Sequence, residues 1–419
     1  MKRLKLHYSI FFVFFVMGVN LHAQTTEIDS LRSTLTNFTN IDTNQIKVLI
    51  RLSSRFYNIN VDSALKYAQK AYSLSNSINY GYGKAKTLNL LGACYFKKSD
   101  YPKAVDYFKK SLTINDSLNN KPGLANTYNN IGASYKIQGN YPQALEYFQK
   151  SLSIEKALNH KTGIAGSYNN IGIIFDIQEN YPKALKYYLK ASDFYSELND
   201  TLGISNAYHN IGVNYYTQGM YLKALEYFQK SLEMFKKQKN KSGMAWSYFN
   251  IGKIYRVKKQ YTKAINFFQK SIKLSIETGN KSIEANNYKE LGLLYLASNK
   301  PNKANFYAQK AYLIAKTIEN TELLNSVTGI LATSYAELGM YKKAYDYHVK
   351  YKNLNDSIYN NDNIRKLTKL EYQYKYEKEK EVEKLNQKKK NEIMVKELKF
   401  QTTIKYILIL SIQSYLALL

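Results

Sequence analysis

The sequence predicts an all-α solenoid, a stack of about eight copies of one 40-residue helix pair. Six glycines recur at intervals of 40 residues from Gly92 to Gly292, and eight alanines keep the same interval from Ala64 to Ala344. A fixed interval of this size is typical of one supersecondary unit that is copied and stacked. Because hydrophobic residues make up 45% of the 419 residues, the chain can build a continuous core along such a stack. Proteins of this class generally present an extended surface to a partner.

The chain begins with a predicted signal peptide over residues 1–23. A short basic segment is followed by an apolar run from Ile10 to Val19, and the small residue Ala23 marks the expected cleavage site. This order of basic, apolar and small-residue segments predicts export. Residues 24–42 follow as a predicted leader helix that caps the stack.

One copy of the repeat, residues 125–152, shows how the unit is built. Four residues spaced three, one and three apart form one face of its first helix: Tyr128, Ile131, Gly132 and Tyr135. The same spacing from Ala144 to Ser151 predicts a second helix, and Gly139 marks the turn between them. Pro142 fits the first turn of that second helix, where a missing N–H costs nothing. Since Gly132 and Ala144 are small, the two helices are expected to approach closely.

The pattern resembles the tetratricopeptide repeat, whose ladder of aromatic, Leu-Gly, Tyr, Ala, Phe and Ala positions is matched in order over residues 43–357. The resemblance implies a right-handed superhelix with its first helices along the concave face. The unit exceeds the roughly 34 residues usual for the family, and we attribute the excess to the second helix and the following loop, Asn159–Gly163. Leu52 and Ala332 replace the glycine in the first and last copies, as expected of capping repeats.

The resemblance also implies a set of candidate binding residues on the concave face. The residue two before the repeated glycine is asparagine in the four central copies: Asn130, Asn170, Asn210 and Asn250. In the family, asparagines at this position contact ligands, and a side-chain amide can both donate to and accept from the backbone of an extended peptide. Asparagine is also a common consensus residue there in copies without a known ligand, so this alternative stays open.

Basic and aromatic residues extend this candidate groove. The positions carried over from the family are Lys136, Trp246, Phe249, Lys253, Arg256 and Lys289, with Lys86 and Lys97 as further lysines and Asp176 as an acid among them. An aromatic pair beside two cations is typical of binding hot spots. We therefore expect a protein or peptide partner that is acidic or ends in a free carboxylate. The alternative is a solvated basic face.

A long charged helix is predicted after the repeats, over residues 358–403. The stretch from Ile364 to Phe400 is rich in Lys and Glu and contains neither glycine nor proline. Glu392 and Lys396 are four residues apart in the favoured order. Because its apolar residues recur at loosely heptad spacing, the segment allows a dimeric coiled coil, with a single solvated helix as the alternative.

The apolar run at residues 404–419 predicts a membrane segment. At about 1.5 Å per residue its 16 residues reach roughly 24 Å, less than a hydrocarbon core of about 30 Å. We therefore expect a transmembrane helix that is cut off inside the membrane, with this sequence being the front of a longer protein or a truncated relative of one. A helix lying in the membrane interface or the end of a coiled coil is the alternative.

The order of these parts resembles bacterial membrane-bound sensor proteins with an exported tetratricopeptide module. The likeness is carried by three segments: Asp62–Ala68, Leu354–Ile358 and Leu370–Lys380. It implies the sensory module of a single-pass protein at the periplasmic face of the inner membrane, coupled to a kinase or a DNA-binding output domain that is missing here. A stand-alone exported adaptor of an envelope complex is the second function class. An enzyme subunit or a binder of an anionic polymer is the third.

The sequence gives no indication of catalysis, a cofactor or a metal site. The five histidines lack metal-ligand spacing, and no phosphate-binding loop, nucleophile elbow or dinucleotide turn is present. The net charge of +28 raises the question of nucleic acid, but the lysines are spread through every repeat and the chain is predicted to be exported. We therefore expect no nucleic acid partner. Cys94 is the single cysteine, so it is expected to be a packing residue.

Overall fold

The computed structural model describes the backbone of residues 27–418 and the side chains of residues 27–356 and 380–405. Within this range the regular structure is entirely helical. Residues 27–36 form α1, and the helices that follow are α2 (Thr43–Phe56), α3 (Val61–Ser77), α4 (Gly81–Lys97), α5 (Tyr101–Ser117), α6 (Lys121–Ile137), α7 (Tyr141–Ala157), α8 (Lys161–Ile177), α9 (Tyr181–Glu197), α10 (Thr201–Thr217), α11 (Tyr221–Lys237), α12 (Lys241–Val257), α13 (Tyr261–Glu277), α14 (Lys281–Ala297), α15 (Pro301–Thr317), α16 (Thr321–Glu337) and α17 (Tyr341–Leu418). The chain divides into two units between Asp362 and Asn363.

Helices α2 to α17 form eight pairs, which confirms the predicted helical repeat solenoid. Between α3 and α16 every helix has 17 residues and every connection has three. Two helices and two connections therefore account for the interval of 40 residues. The prediction of an extended loop over Asn159–Gly163 was wrong, because α8 already begins at Lys161. The extra length lies in both helices of the pair.

The three-residue connections share one hydrogen-bonding scheme. In the turn after α6, Gly139 has a φ of 78°, and its N–H donates to the carbonyl of Lys136 at 3.1 Å. The N–H of Asn140 donates to the carbonyl of Tyr135 at 2.9 Å, which completes the Schellman arrangement of a helix end. The Asn140 side chain then accepts from the N–H of Gln143 and caps α7. One residue thus closes one helix and begins the next, which keeps the turn short.

The repeated glycines allow the two helices of a pair to touch. A Cβ atom on Gly132 would lie 2.8 Å from the ring of Phe148 and 3.2 Å from the carbonyl oxygen of Ala144. The glycines at 92, 172, 212 and 252 face an aromatic ring in the same way. Gly292 differs because the corresponding residue of the second helix is Ala308, 3.7 Å from the built Cβ position. The close approach predicted from the small residues is therefore confirmed.

The first helices of the pairs line the inner side of the stack. These first helices are the even-numbered helices from α2 to α16, and each contacts the first helix of the neighbouring pairs. The described second helices make no contact with one another. Rows of helices come closer together on the inside of a curved stack, so the first helices form the concave face. At the start of the stack, Ile28 and Leu31 of α1 pack against Leu52 and Phe56 and cover the first pair.

The C-terminal unit is helical throughout its described residues. Helix α17 runs without a break across residue 357, where the sequence predicts the start of a separate connecting helix. Val382, Leu385 and Ile393 of this segment are exposed in the single chain, and the dimeric coiled coil stays a prediction. Among the described residues no helix is long and apolar enough to cross a membrane, so the predicted segment at 404–419 receives no support. The predicted signal peptide lies outside the described residues.

Candidate binding groove

Asparagine side chains form a ladder along the concave face and join successive repeats. The amide of Asn130 donates to Oδ1 of Asn89 at 2.7 Å. In the next copies Asn170 donates to Asn129 at 2.8 Å, and Asn210 donates to Asn169 at 2.9 Å. Each bond crosses one repeat boundary, so the predicted groove asparagines have a structural role in stacking. A side-chain amide has two N–H groups and one carbonyl, which leaves hydrogen-bonding capacity for a ligand.

The ladder stops where position 209 is histidine and position 249 is phenylalanine. Phe249 is only 6% exposed and packs on the ring of Phe268 at 6.2 Å between centroids. Asn250 is 9% exposed. The structure therefore differs from the prediction that these two residues face the groove. A phenylalanine ring gains more free energy by packing against a neighbouring ring than by facing water, so Phe249 belongs to the core.

A cluster of three cations surrounds one buried carboxylate at the sixth and seventh repeats. Glu290 is 4% exposed and occupies the position that asparagine holds in the earlier copies. Its Oε2 lies 2.7 Å from Nε of Arg256, and its Oε1 lies 3.5 Å from Nζ of Lys289. The Lys253 ammonium lies over the Tyr216 ring, 4.5 Å from its centroid. Burial lowers the pKa of Lys253, although Glu290 opposes the effect. We call these four charged residues the Glu290 cluster, and its positive charges exceed its negative charge.

Lys136 and Asp176 occupy the position of Arg256 in earlier copies, and each has a different environment. Burial lowers the pKa of the half-buried Lys136 ammonium. Asp176 accepts a hydrogen bond from the Asn214 amide at 2.6 Å, and burial raises the pKa of its carboxyl group although this bond opposes the shift. Asp176 is thus tied to the next repeat, whereas the role of Lys136 in the groove stays a prediction.

A cavity lies at the start of the concave face. It has a volume of about 810 Å³ and is bordered by α2, α4 and α6. Lys47, Arg51 and Lys86 contribute cations, and Asn89 and Asn130 bring one rung of the asparagine ladder into its wall. Lys86, which the sequence analysis expects in the groove, is one of the residues that line this cavity.

A second column of glycines, which we did not identify from the sequence, opens pockets between the repeats. Gly123, Gly163, Gly203 and Gly243 are each the third residue of a first helix. A Cβ atom at any of them would lie within 2.4 Å of the side chain eight residues earlier, which belongs to the preceding second helix. Those four side chains are Asn115, Glu155, Tyr195 and Phe235.

Two of the resulting pockets occur at the same register, 80 residues apart, with different chemistry. The Glu155 pocket, about 370 Å³, contains a carboxylate whose Oε2 lies 2.6 Å from Nδ1 of His160. The Trp246 pocket, about 460 Å³, is mainly aromatic and apolar. Its lining residues are Leu202, Asn206, His209, Phe235, Asn240, Ser242, Gly243 and Trp246. The same architecture therefore presents different side chains to the groove in different repeats.

The Trp246 pocket is electrically neutral near pH 7. Burial lowers the pKa of His209 to about 4, and its Nδ1 is buried without a hydrogen-bond partner among the described residues. The imidazole packs between the rings of Phe228 and Trp246, with centroid distances of 5.5 and 6.4 Å. Trp246 is 39% exposed, so one side of its ring is available. The role of Trp246 in binding a ligand stays a prediction.

Cys94 is buried in the core at the first repeats, as predicted for a packing residue. Burial raises the pKa of its thiol to about 11, so the reactive thiolate is scarce at neutral pH. The described residues contain no group of three His, Cys, Asp or Glu side chains that could hold a metal ion. The groups collected along the concave face hydrogen-bond, pair charges and pack rings, which is the chemistry of binding.

Solved structures share this fold at low sequence identity. The apo form of the quorum sensor NprR from B. thuringiensis is 18% identical, covers 80% of this chain and 95% of its own, and has a TM-score of 0.59. A Rap protein complexed with Competence and Sporulation Factor is 15% identical, covers 82% and 98%, and also has a TM-score of 0.59. A signal transduction ATPase with a tetratricopeptide repeat sensor from Pyrococcus horikoshii is 19% identical, covers 78% and 55%, and has a TM-score of 0.56. At these identities the likeness establishes the fold alone.

Comparison with models of protein families identifies the type of repeat in this chain. The comparison with curated proteins finds no match. The family model described as tetratricopeptide repeat matches residues 60–117, 83–157, 123–197, 163–237 and 243–317. These segments together cover more than half of the sequence and coincide with the helix pairs described above. The chain belongs to the tetratricopeptide repeat family.

Proposed function

We propose that this protein is a scaffold that binds an extended, acidic protein or peptide segment along the groove of its first helices. The observation that carries the proposal is the Glu290 cluster, in which Arg256 and Lys289 pair with a single carboxylate while the Lys253 ammonium lies over the Tyr216 ring. Because an incoming carboxylate would balance the excess positive charge in a partly buried site, the cluster favours acidic segments.

An extended segment also matches the spacing of the groove. Packed helices lie about 8–10 Å apart, and an extended chain rises about 3.3 Å per residue. About three residues of the segment would therefore pass each repeat. The free hydrogen-bonding capacity of Asn130, Asn170 and Asn210 would serve its backbone.

We further propose that the protein is a sensory module and that the bound segment is a signal that it detects outside the cytoplasm. It is supported by the basic and apolar order of residues 1–23 and by the long helix α17, which would pass a change in the solenoid to a further domain. A Rap protein of the same fold was solved with Competence and Sporulation Factor, and the NprR structure is described as a quorum sensor. Membrane anchoring at the inner membrane and dimerisation through α17 belong to this proposal. A stand-alone exported adaptor is the second candidate, favoured by the regular surface that eight repeats present.

Site-specific photo-crosslinking tests the binding function. A photoreactive phenylalanine analogue would replace exposed Asn126 on the first helix α6 and, as the control, exposed Lys109 on the second helix α5. In cells that produce the protein natively, we expect a discrete crosslinked partner from position 126 that disappears when Lys253→Gln and Lys289→Gln are combined. Equal products from both positions, or products insensitive to the lysine changes, would refute groove binding.

Measuring the mass of the native product distinguishes a sensory module from a stand-alone exported adaptor. We expect the native product, recovered with an antibody against the repeats, to be larger than 48.6 kDa and to fractionate with membranes if the chain is a sensory module. A native product of this mass or smaller would favour the adaptor.

A further inference from the structure

We infer that the segment bound in the groove places an aromatic side chain in the Trp246 pocket and, about three residues away, an acidic side chain at the Glu290 cluster. This inference rests on the proposed peptide-binding function and adds a sequence pattern to it. Two features carry it: the chemistry of the pocket wall, and the position of the pocket relative to the cluster on one helix.

The wall of the Trp246 pocket suits a flat apolar side chain. Trp246 and Leu202 are 39% and 47% exposed, so both side chains offer apolar surface to a ligand. Phe235 forms the back of the pocket, and Gly243 leaves the space in front of that ring free of a Cβ atom. An aromatic ring of the ligand can pack edge to face against Trp246, as the rings of His209 and Phe249 already do at interplanar angles of 72° and 79°.

The charge of the pocket also distinguishes it from its counterpart two repeats earlier. His209 is uncharged near pH 7, and no Asp, Glu, Lys or Arg lines the pocket. The Glu155 pocket places a carboxylate at the position of Phe235. A neutral apolar pocket in a protein of net charge +28 therefore selects a ring over a charged group.

The acidic neighbour follows from helix geometry. Trp246 and Lys253 are seven residues apart on α12, which is two helical turns, so both side chains lie on the same face about 10 Å apart. A segment that crosses α12 obliquely, and not at right angles to it, covers that distance in about three residues. Glu290 already pairs with Arg256, whereas the contacts of the Lys253 ammonium are with the Tyr216 and Phe249 rings. A carboxylate at this spacing would supply the partner of opposite charge.

Trp246 is the single tryptophan of the chain, so its fluorescence reports occupation of this pocket directly. The full chain would be titrated with acetylated, amidated tetrapeptides. Phe-Gly-Gly-Glu has the inferred pattern, Phe-Gly-Gly-Gln removes the charge, Phe-Glu-Gly-Gly changes the spacing, and Ala-Gly-Gly-Glu removes the ring. We expect a saturable fluorescence change with Phe-Gly-Gly-Glu and about fivefold weaker binding of the glutamine and shifted peptides. The alanine peptide should give no saturable change.

Variants assign the two subsites. Asn206 is exposed and lines the pocket, so Asn206→Phe should fill the pocket and abolish the response without disturbing the core. The matched control is Asn126→Phe, which changes an equally exposed asparagine at the same register two repeats earlier and should leave the response intact. Combining Lys253→Gln with Lys289→Gln should remove the preference for glutamate over glutamine. A circular dichroism spectrum would verify that each variant is folded.

The outcomes separate this inference from the proposed function. Equal affinities for all four peptides, or no saturable change up to their solubility limits, would overturn the inference even if the groove crosslinks a partner. A response to Phe-Gly-Gly-Glu that Asn206→Phe abolishes would support the inference even if position 126 yields no partner in cells.

Discussion

Replacing Gly212 by alanine should destabilise the protein, although alanine is the better helix former. An alanine Cβ at this position would lie 2.7 Å from two carbons of the Phe228 ring. This is about 0.7 Å closer than ordinary carbon–carbon contact. Phe228 is 1% exposed, so the ring cannot move into solvent. Overpacking of this kind costs about 2–3 kcal/mol, while the change from glycine to alanine returns about 1 kcal/mol of helix propensity. The net loss of unfolding free energy should be about 1–2 kcal/mol.

The matched control is Gly166→Ala, also within a first helix. Nothing lies within 4 Å of a Cβ atom at Gly166, so only the helix propensity acts, and the variant should gain about 0.5–1 kcal/mol. Gly292 occupies the same register as Gly212, but a Cβ atom there would lie 3.3 Å from a carbon of Ile330. The unfolding free energy of Gly292→Ala, relative to the unchanged protein, should therefore shift by an amount between those of the other two variants. Urea unfolding followed by circular dichroism measures all three. If Gly212→Ala were as stabilising as Gly166→Ala, the reasoning that this column of glycines exists to admit the aromatic ring would be refuted.

Three further perturbations test particular contacts. Burial lowers the folded-state pKa of His209 from 6.5 to about 4, so the unfolded state binds more protons between these two values. The unfolding free energy should therefore fall by about 3 kcal/mol as the pH drops through that window. His209→Asn should remove this part of the pH dependence in urea titrations at several pH values. Arg256→Met leaves the buried Glu290 carboxylate without its nearest cation and should cost about 2 kcal/mol, whereas adding Glu290→Gln should recover most of the loss in a double-mutant cycle. Asn170→Ala removes one rung of the ladder and should cost about 1 kcal/mol by thermal or urea unfolding, and a neutral result would show that the rung contributes nothing to stacking.

The fold could be predicted from the sequence because a regular repeat constrains it at many positions at once. The interval between Gly92 and Gly292, the turn at Gly139 and the proline at Pro142 all indicate the same helix pair, and the structure agrees. The turn length was mispredicted at Asn159–Gly163. Asparagine can adopt the left-handed conformation at residue 159 and close a helix as glycine does, so polar residues there do not require a long loop.

The site could be predicted only in part, because the side chains of neighbouring repeats decide which residues stay exposed. Trp246 is 39% exposed, but Phe249 packs in the core against Phe268, a contact that spans 19 residues and depends on helix packing. The Trp246 pocket was missed because its glycine, Gly243, belongs to a second column whose purpose becomes visible only when the ring of Phe235 is in place. That column has the same interval of 40 residues, so it was detectable as a pattern but not interpretable as a pocket.

The most direct test of groove binding is to select binders from a randomised peptide display library on the full chain and to map where they bind by crosslinking. The account predicts that selected peptides crosslink to the first helices, α4 to α14 in even numbers, and that Asn206→Phe weakens them more than Asn126→Phe does. Peptides that crosslink mainly to the second helices would contradict the central claim that this solenoid binds its partner along the concave groove, and peptides that bind both variants equally would contradict the use of the Trp246 pocket.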